Sequence, residues 1–306
     1  MVDGAYTSLT SLTRLKHQAS RFSFLPRQPV QSLLAGRKAS RLRGRGLNFE
    51  EIRNYLPGDD IRSIDWKVTA RMREPHARIY TEERDRPTLL VVDQRISMFF
   101  GSQVAMKSVT AAEVAALAAW RALDVGDRVG AIVFNDTEAT EIRPKRSTQN
   151  VMQILGEVVR QNHLLAADST AAENPGQFNR VLEKARVHAP HDALLVIISD
   201  GMGTDAETER LIAGLVEHND ALMLLVHDPT RLDPSGPRLT VSDGTLQMDL
   251  DLRDPKVSGA MADDFRREQE EMTHSLRRLS APLLMINNQG DTVQQVRRLL
   301  GVPGRR

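Results

Sequence analysis

Three short apolar runs in this sequence each finish on an aspartate: TLLVVD at Asp93, ALLVIISD at Asp200 and ALMLLVHD at Asp228. Around them lie stretches with apolar residues at helical spacing: VAMKSVTAAEVAALAAWRALDVG, ending at Gly126, then TQNVMQILGEVVRQ, QFNRVLEKARVH and AETERLIAGLVEHN. Short continuous apolar runs bounded by loops suit strands covered on both faces, as in parallel sheets. The alternation predicts an α/β fold: a doubly wound, mostly parallel sheet with helices on both faces. The remaining pieces fit the same plan. DRVGAIVFND is a further strand, ATEIRPK a short edge strand closed by Pro144, and Asp233 to Asp251 a hairpin-like piece. A polar helix, the strand PLLMIN and the helix DTVQQVRRLL complete the chain.

In sheets of this kind, sites form beyond the carboxyl ends of strands where the strand order reverses. If the strands ending at Asp93 and Asp200 are neighbours, their carboxylates face one crevice. Ser97 follows Asp93, and an aspartate with a nearby hydroxyl suits a hard cation that prefers oxygen ligands. Arg95 stands between them, and a guanidinium is permanently charged and cannot ligate a metal. At about 5 Å from a divalent ion, with an effective dielectric near 20, repulsion is roughly 6 to 7 kcal/mol. Arg95 is therefore expected to replace the ion, donating to Asp93 or Asp200 in bidentate fashion.

The chain of 306 residues is long enough for one large α/β domain with a smaller element. It contains no cysteine, which excludes disulfides and thiolate metal sites and fits a cytoplasmic protein. The sequence has no uninterrupted apolar run of about 18 residues, so no membrane span is expected. The N-terminus also lacks the apolar core of a secretory signal. Net charge is +1, which gives no global case for nucleic acid. The segment between Gly4 and Phe49 nevertheless holds no acidic residue and carries basic ones from Arg14 to Arg45. Its aromatics are too few for base stacking, so a solvated helix and arm are expected rather than an RNA reader.

Residues before Thr88 stand outside the strand–helix alternation. The predicted division is an N-terminal basic helix, arm and mixed short-strand subdomain over 1–86, followed by the α/β domain over 87–306. Within the first part, GRGLNFEEIRNYLPGDDIRSIDWKVTAR contains a Pro-Gly turn followed by closely spaced charges. Gly58, Asp59, Asp60, Arg62, Asp65 and Trp66 are the candidate residues there. Asp65 and Trp66 read first as a structural ion pair or cap and a core tryptophan. Arg53, Arg62, Arg71 and Arg78, with Glu82 and Glu83 beside them, make a mixed-sign face suited to protein recognition.

The stretch just quoted, together with EERDRPTLLVVD and SMFFGS, resembles the bacterial domain of unknown function 58 family. The resemblance runs from about Arg43 to Val133 and more loosely through VIISDG. It implies a following domain of von Willebrand factor A type and association with MoxR-type AAA+ ATPases, with no enzymatic activity. Domains of that type typically carry a metal-ion-dependent adhesion site binding Mg²⁺. Of its ligands, Asp93, Ser97 and Asp200 have counterparts here, while Arg95 stands for the first serine and Gln177 for the threonine. The resemblance thus implies a degenerate site without cofactor, at which at most weak Mg²⁺ binds. The expected function is a non-enzymatic adaptor that docks a MoxR-type ATPase or its client through Asp93, Arg95, Ser97, Gln177 and Asp200.

The alternative is a metal-dependent phosphoester hydrolase using Asp93 and Asp200. Arg95 counts against it, since a neighbouring cation is expected to lower both carboxylate pKa values, the wrong direction for a general acid. Gly201-x-Gly203-x-x-Ala206, with Asp228 closing the next strand, has the spacing of a dinucleotide-binding turn. Asp200 and Asp205 beside that turn oppose a diphosphate.

Overall fold

The computed structural model describes residues 4–20, 22, 47–55, 61–82, 87–167, 173–231, 239–242, 247–278 and 281–301. In chain order the first elements are α1 (Leu9–Arg14), β1 (Leu47–Asn54), α2 (Trp66–Met72) and β2 (His76–Glu82). Next come β3 (Pro87–Asp93), α3 (Lys107–Asp124), β4 (Arg128–Phe134), β5 (Ala139–Lys145), α4 (Thr148–Asn162) and α5 (Gly176–His188). The chain continues through β6 (Leu194–Ser199), α6 (Ala206–Val216), β7 (Asp220–His227), β8 (Leu239–Ser242) and β9 (Gln247–Leu250). It ends with α7 (Pro255–Arg278), β10 (Leu283–Asn287) and α8 (Thr292–Leu300).

Two compact units are present, Met1–Val30 with Arg86–Arg306 and Gln31–Asp85. The larger is built on a sheet of order β10-β7-β6-β3-β4-β5, parallel except for the β4–β5 pair. Alternate residues of each strand feed opposite layers. Leu90, Val92, Val133, Val196 and Ile198 pack with α3, α4 and α8, whereas Leu89, Val91, Phe134, Leu195 and Ile197 pack with α5 and α6. Each fully buried Leu, Ile or Val contributes about 1.5–3 kcal/mol, so the two layers fix the strand ends firmly. From β3 the chain first builds outward to β5, then crosses to β6 on the other side of β3. The order therefore reverses between β3 and β6, at the ends that carry Asp93 and Asp200.

Two local expectations need correction, while the edge strand ATEIRPK forms as expected and runs through Pro144 to Lys145. An edge position tolerates proline, and Gly130 on β4 makes room, since a Cβ there would lie 2.6 Å from the Ile142 carbonyl oxygen and the Pro144 nitrogen. The N-terminal helix does not group with the mixed subdomain. Leu12, Leu15, Ala19 and Phe22 are buried in the core beside α3 and α4, and the Trp120 indole donates to the Leu12 carbonyl at 3.2 Å.

The smaller unit holds the antiparallel pair β1–β2 and α2. Asp65 caps α2, accepting from the backbone N–H groups of Lys67 and Val68 at 3.0 and 3.1 Å. Trp66 is the second correction: it is 67% exposed, not a core residue. As the first residue of α2 it falls on the solvent side of the helix, while Val68 and Thr69 turn inward. Gly58, Asp59 and Asp60 lie outside the described residues, as do Glu83 and most of the basic segment. No helix among the described residues is long and apolar enough to cross a membrane.

Candidate functional site

β3 and β6 are adjacent and parallel, with Val92 opposite Ile198. Asp93, the last residue of β3, thus meets Ser199, whose hydroxyl donates to Asp93 Oδ2 at 2.7 Å. Asp200 follows immediately, and both carboxylates are buried in the one crevice expected from the sequence.

Arg95 leaves β3 in an extended conformation and folds back onto Asp93. Its Nε lies 3.1 Å from both carboxylate oxygens, Nη2 is 2.7 Å from Oδ2, and its backbone N–H donates to Oδ1 at 3.0 Å. Nη2 also donates to the Met202 carbonyl at 3.0 Å and stands 4.0 Å from Asp200 Oδ1. The guanidinium lies beside the stacked rings of Phe134 and Phe178, 5.6 and 5.5 Å from their centroids, within cation–π range. Only 3% of Arg95 is exposed.

A second cation approaches from the other layer. Lys107, first residue of α3, is buried and places Nζ 2.7 Å from Asp200 Oδ2. A lysine at a helix N-terminus opposes the helix dipole, and the Asp200 carboxylate compensates for that. The crevice therefore contains two internal ion pairs, Asp93–Arg95 and Asp200–Lys107, whose formal charges cancel.

The titration of the two aspartates is pushed in opposite directions. Complete burial lifts the Asp93 carboxyl above the ordinary aspartate range, against the charge and hydrogen bonds of Arg95. Burial would also raise Asp200, but the charge and hydrogen bond of Lys107 outweigh it and hold Asp200 below that range. Arg95 acts to lower both, as expected, but at Asp93 desolvation wins and the net shift is upward. Burial alone would ease proton loss from Arg95, but the charge and hydrogen bonds of Asp93 hold its proton more firmly than usual.

The loops bearing these groups are fastened by further polar contacts. Asp136 accepts from the backbone N–H groups of Ile96 at 2.7 Å and Asn174 at 3.0 Å, joining two loops of the crevice rim. Gln94 donates to the Ser108 carbonyl and accepts from Asn162, each at 3.0 Å, and Asn162 Oδ1 in turn accepts from Thr7 N–H at 2.9 Å. Asp228, buried at the end of β7, accepts from the Ser102 hydroxyl at 2.7 Å, from Thr230 N–H at 2.9 Å and from Asn288 Nδ2 at 3.0 Å.

Of the residues singled out from sequence, the structure brings Asp93, Arg95 and Asp200 together. Ser97 is near in sequence only: its hydroxyl oxygen is buried without a hydrogen-bond partner and does not join the carboxylates. Gln177 is buried in the first turn of α5, where its backbone N–H donates to Asn174 O at 3.0 Å. Arg62 and Trp66 are exposed and Asp65 is the α2 cap. The dinucleotide spacing around Gly201 serves another end. Asp205 caps α6, accepting from Thr208 N–H at 2.8 Å, and so occupies the helix N-terminus that a pyrophosphate would need.

Lys107, Ser199 and Asp136 were not found from sequence. Lys107 did leave a signal: a cation opening the apolar, alanine-rich first half of a helix needs a partner. Ser199 and Asp136 left none, because strand register and loop contacts decide their roles. Each carboxylate is held by an internal cation, Asp93 by Arg95 and Asp200 by Lys107. Among the described residues no group of three or more His, Cys, Asp or Glu side chains is placed to hold a metal.

Several known proteins are similar to this chain. An uncharacterized protein of Mycobacterium tuberculosis (strain ATCC 25618 / H37Rv) is 26% identical over 283 residues, covering 90% of this chain and 85% of the relative. An uncharacterized protein of Mycobacterium bovis matches to the same extent. Among solved structures, the conserved hypothetical protein BatB from Bacteroides thetaiotaomicron aligns with a TM-score of 0.44 and 13% identity, over 70% of this chain and 98% of that one. A von Willebrand factor type A protein from Catenulispora acidiphila aligns with a TM-score of 0.34 and 14% identity, over 72% of this chain and 42% of that one. The family described as "Protein of unknown function DUF58" matches residues 51–275. This chain belongs to that family.

Proposed function

We propose that this protein is a non-enzymatic, cytoplasmic protein-interaction module whose switch-point crevice is a degenerate metal-ion-dependent adhesion site. The observation that carries this reading is the pair of internal ion pairs: Arg95 on Asp93 and Lys107 on Asp200 supply the positive charge a divalent ion would supply. A site neutralised from within needs no cofactor, and any divalent ion entering it meets two fixed cations. At about 5 Å and an effective dielectric near 20, each adds roughly 6 to 7 kcal/mol of repulsion.

With Arg95 buried, a direct arginine-to-partner contact gives way to docking on the rim that Arg95 holds in place. That rim includes Met202, 40% exposed, whose carbonyl accepts from Arg95. Family resemblance makes a MoxR-type AAA+ ATPase, or the client that it remodels, the partner.

Affinity capture with the full chain as bait, in Mg²⁺ and in EDTA, tests the reading. An AAA+ ATPase recovered equally in both arms, and reduced with Met202→Asp, is the expected result. Recovery that requires Mg²⁺, with the ATPase's own nucleotide-bound metal excluded as the cause, contradicts the internal-cation account. Failure to recover an ATPase contradicts the partner assignment.

A further inference from the structure

The family-specific segment has a role of its own, separate from the crevice. Trp66 is 67% exposed, and Ile61 and Met72 in the same unit are 65% and 59% exposed. Large apolar side chains do stand singly on protein surfaces, but these three fall within one short stretch that also carries exposed Arg62, Lys67, Arg71 and Arg73. At about 100° per residue, Trp66 and Ala70 stand one above the other on the solvent side of α2, and Lys67 and Arg71 form a parallel row beside them. The inward side is taken by Val68 and Thr69. Asp65 is buried as the helix cap, and the next described acid along the chain, Glu74, is exposed beyond the C-terminal end of α2.

We propose that this face of α2, Trp66 and Ala70 beside Lys67 and Arg71, is a docking surface for an acidic protein segment bearing apolar side chains. Charge complementarity selects the acidic partner. The tryptophan and the flanking arginine are the residue types that dominate protein–protein binding energy. A single-stranded nucleic acid would also meet basic charge and an aromatic ring. Such surfaces stack successive bases on several aromatics, however, and the other large groups here are the aliphatic Ile61 and Met72.

The test is selection of random short peptides displayed on phage against the full-length chain, followed by fluorescence anisotropy with the selected peptides. Expected are peptides rich in Glu or Asp with aromatic or aliphatic anchors. Their affinity falls about tenfold or more with Trp66→Ala and also falls with Lys67→Glu or Arg71→Glu. All three side chains are exposed, and an unchanged melting temperature confirms that each variant is folded. Selected peptides that are basic, or that bind Trp66→Ala as tightly as the native chain, overturn the proposal. So does labelled oligothymidine that binds the native chain, loses affinity steeply with salt and fails on Trp66→Ala.

Discussion

The Arg95 guanidinium closes on the Asp93 carboxylate through Nε and Nη2, with the shortest contact at 2.7 Å and both side chains buried. Such a pair is costly to break, because removing one partner strands the other charge out of water. Arg95→Met is expected to lower unfolding free energy by about 3–5 kcal/mol, read by denaturant titration. Arg95→Met combined with Asp93→Asn should recover much of that loss, since no uncompensated charge then remains.

Arg95→Ser alone is not expected to create a Mg²⁺ site, because Lys107 still neutralises Asp200 from 2.7 Å. The double variant Arg95→Ser, Lys107→Ala leaves two buried carboxylates without a cation. Its melting temperature should rise with added Mg²⁺, while those of Arg95→Ser and the native chain stay flat. Ion binding to the native state alone stabilises by mass action, so differential scanning fluorimetry across a Mg²⁺ series decides this.

The acid limb of stability carries a definite sign. Lys107 holds Asp200 below the ordinary aspartate range, and at Asp228 the hydrogen bonds from Ser102 overcome burial to do the same. For such groups the unfolded chain binds more protons, so their contribution is complete above the unfolded value of about 3.9 and is lost as pH falls through the lower folded values. Asp93 acts oppositely, its contribution fading as pH rises through its raised folded value. Asp228→Asn is expected to make the acid limb shallower below about pH 4, followed as unfolding free energy against pH. An unchanged limb would contradict the hydrogen-bond account of Asp228.

Asp65 supplies the side-chain cap of α2, so Asp65→Ala should cost about 1 kcal/mol. Amide exchange should show that loss first between Lys67 and Arg73. Trp66→Ala, at an exposed position, should leave the same amides unchanged.

The sequence made the sheet legible because buried parallel strands read as continuous apolar runs and the helices kept their period. It also placed Asp93, Arg95 and Asp200 at one end of that sheet, since an acid closing a buried strand marks where a crevice forms. Other parts of the site depend on contacts that no spacing encodes. Lys107 reaches Asp200 across 93 positions, and Ser199 meets Asp93 only through strand register. Trp66 was misjudged because an aromatic beside a cap reads as core, whereas a helix as short as α2 turns few positions inward. Ser97 and Gln177, assigned by family pattern, make no hydrogen bond to the carboxylates: the Ser97 hydroxyl is buried without a partner and the Gln177 backbone N–H bonds to the Asn174 carbonyl.

Isothermal titration of Mg²⁺ into the native chain, with Asp93→Asn as control, tests the internal-cation crevice most directly. No saturable heat at millimolar Mg²⁺, and curves that superimpose for the two proteins, are the expected result. Saturable binding of one ion per chain that disappears in Asp93→Asn would contradict it, because Arg95 and Lys107 would then yield the crevice to a metal.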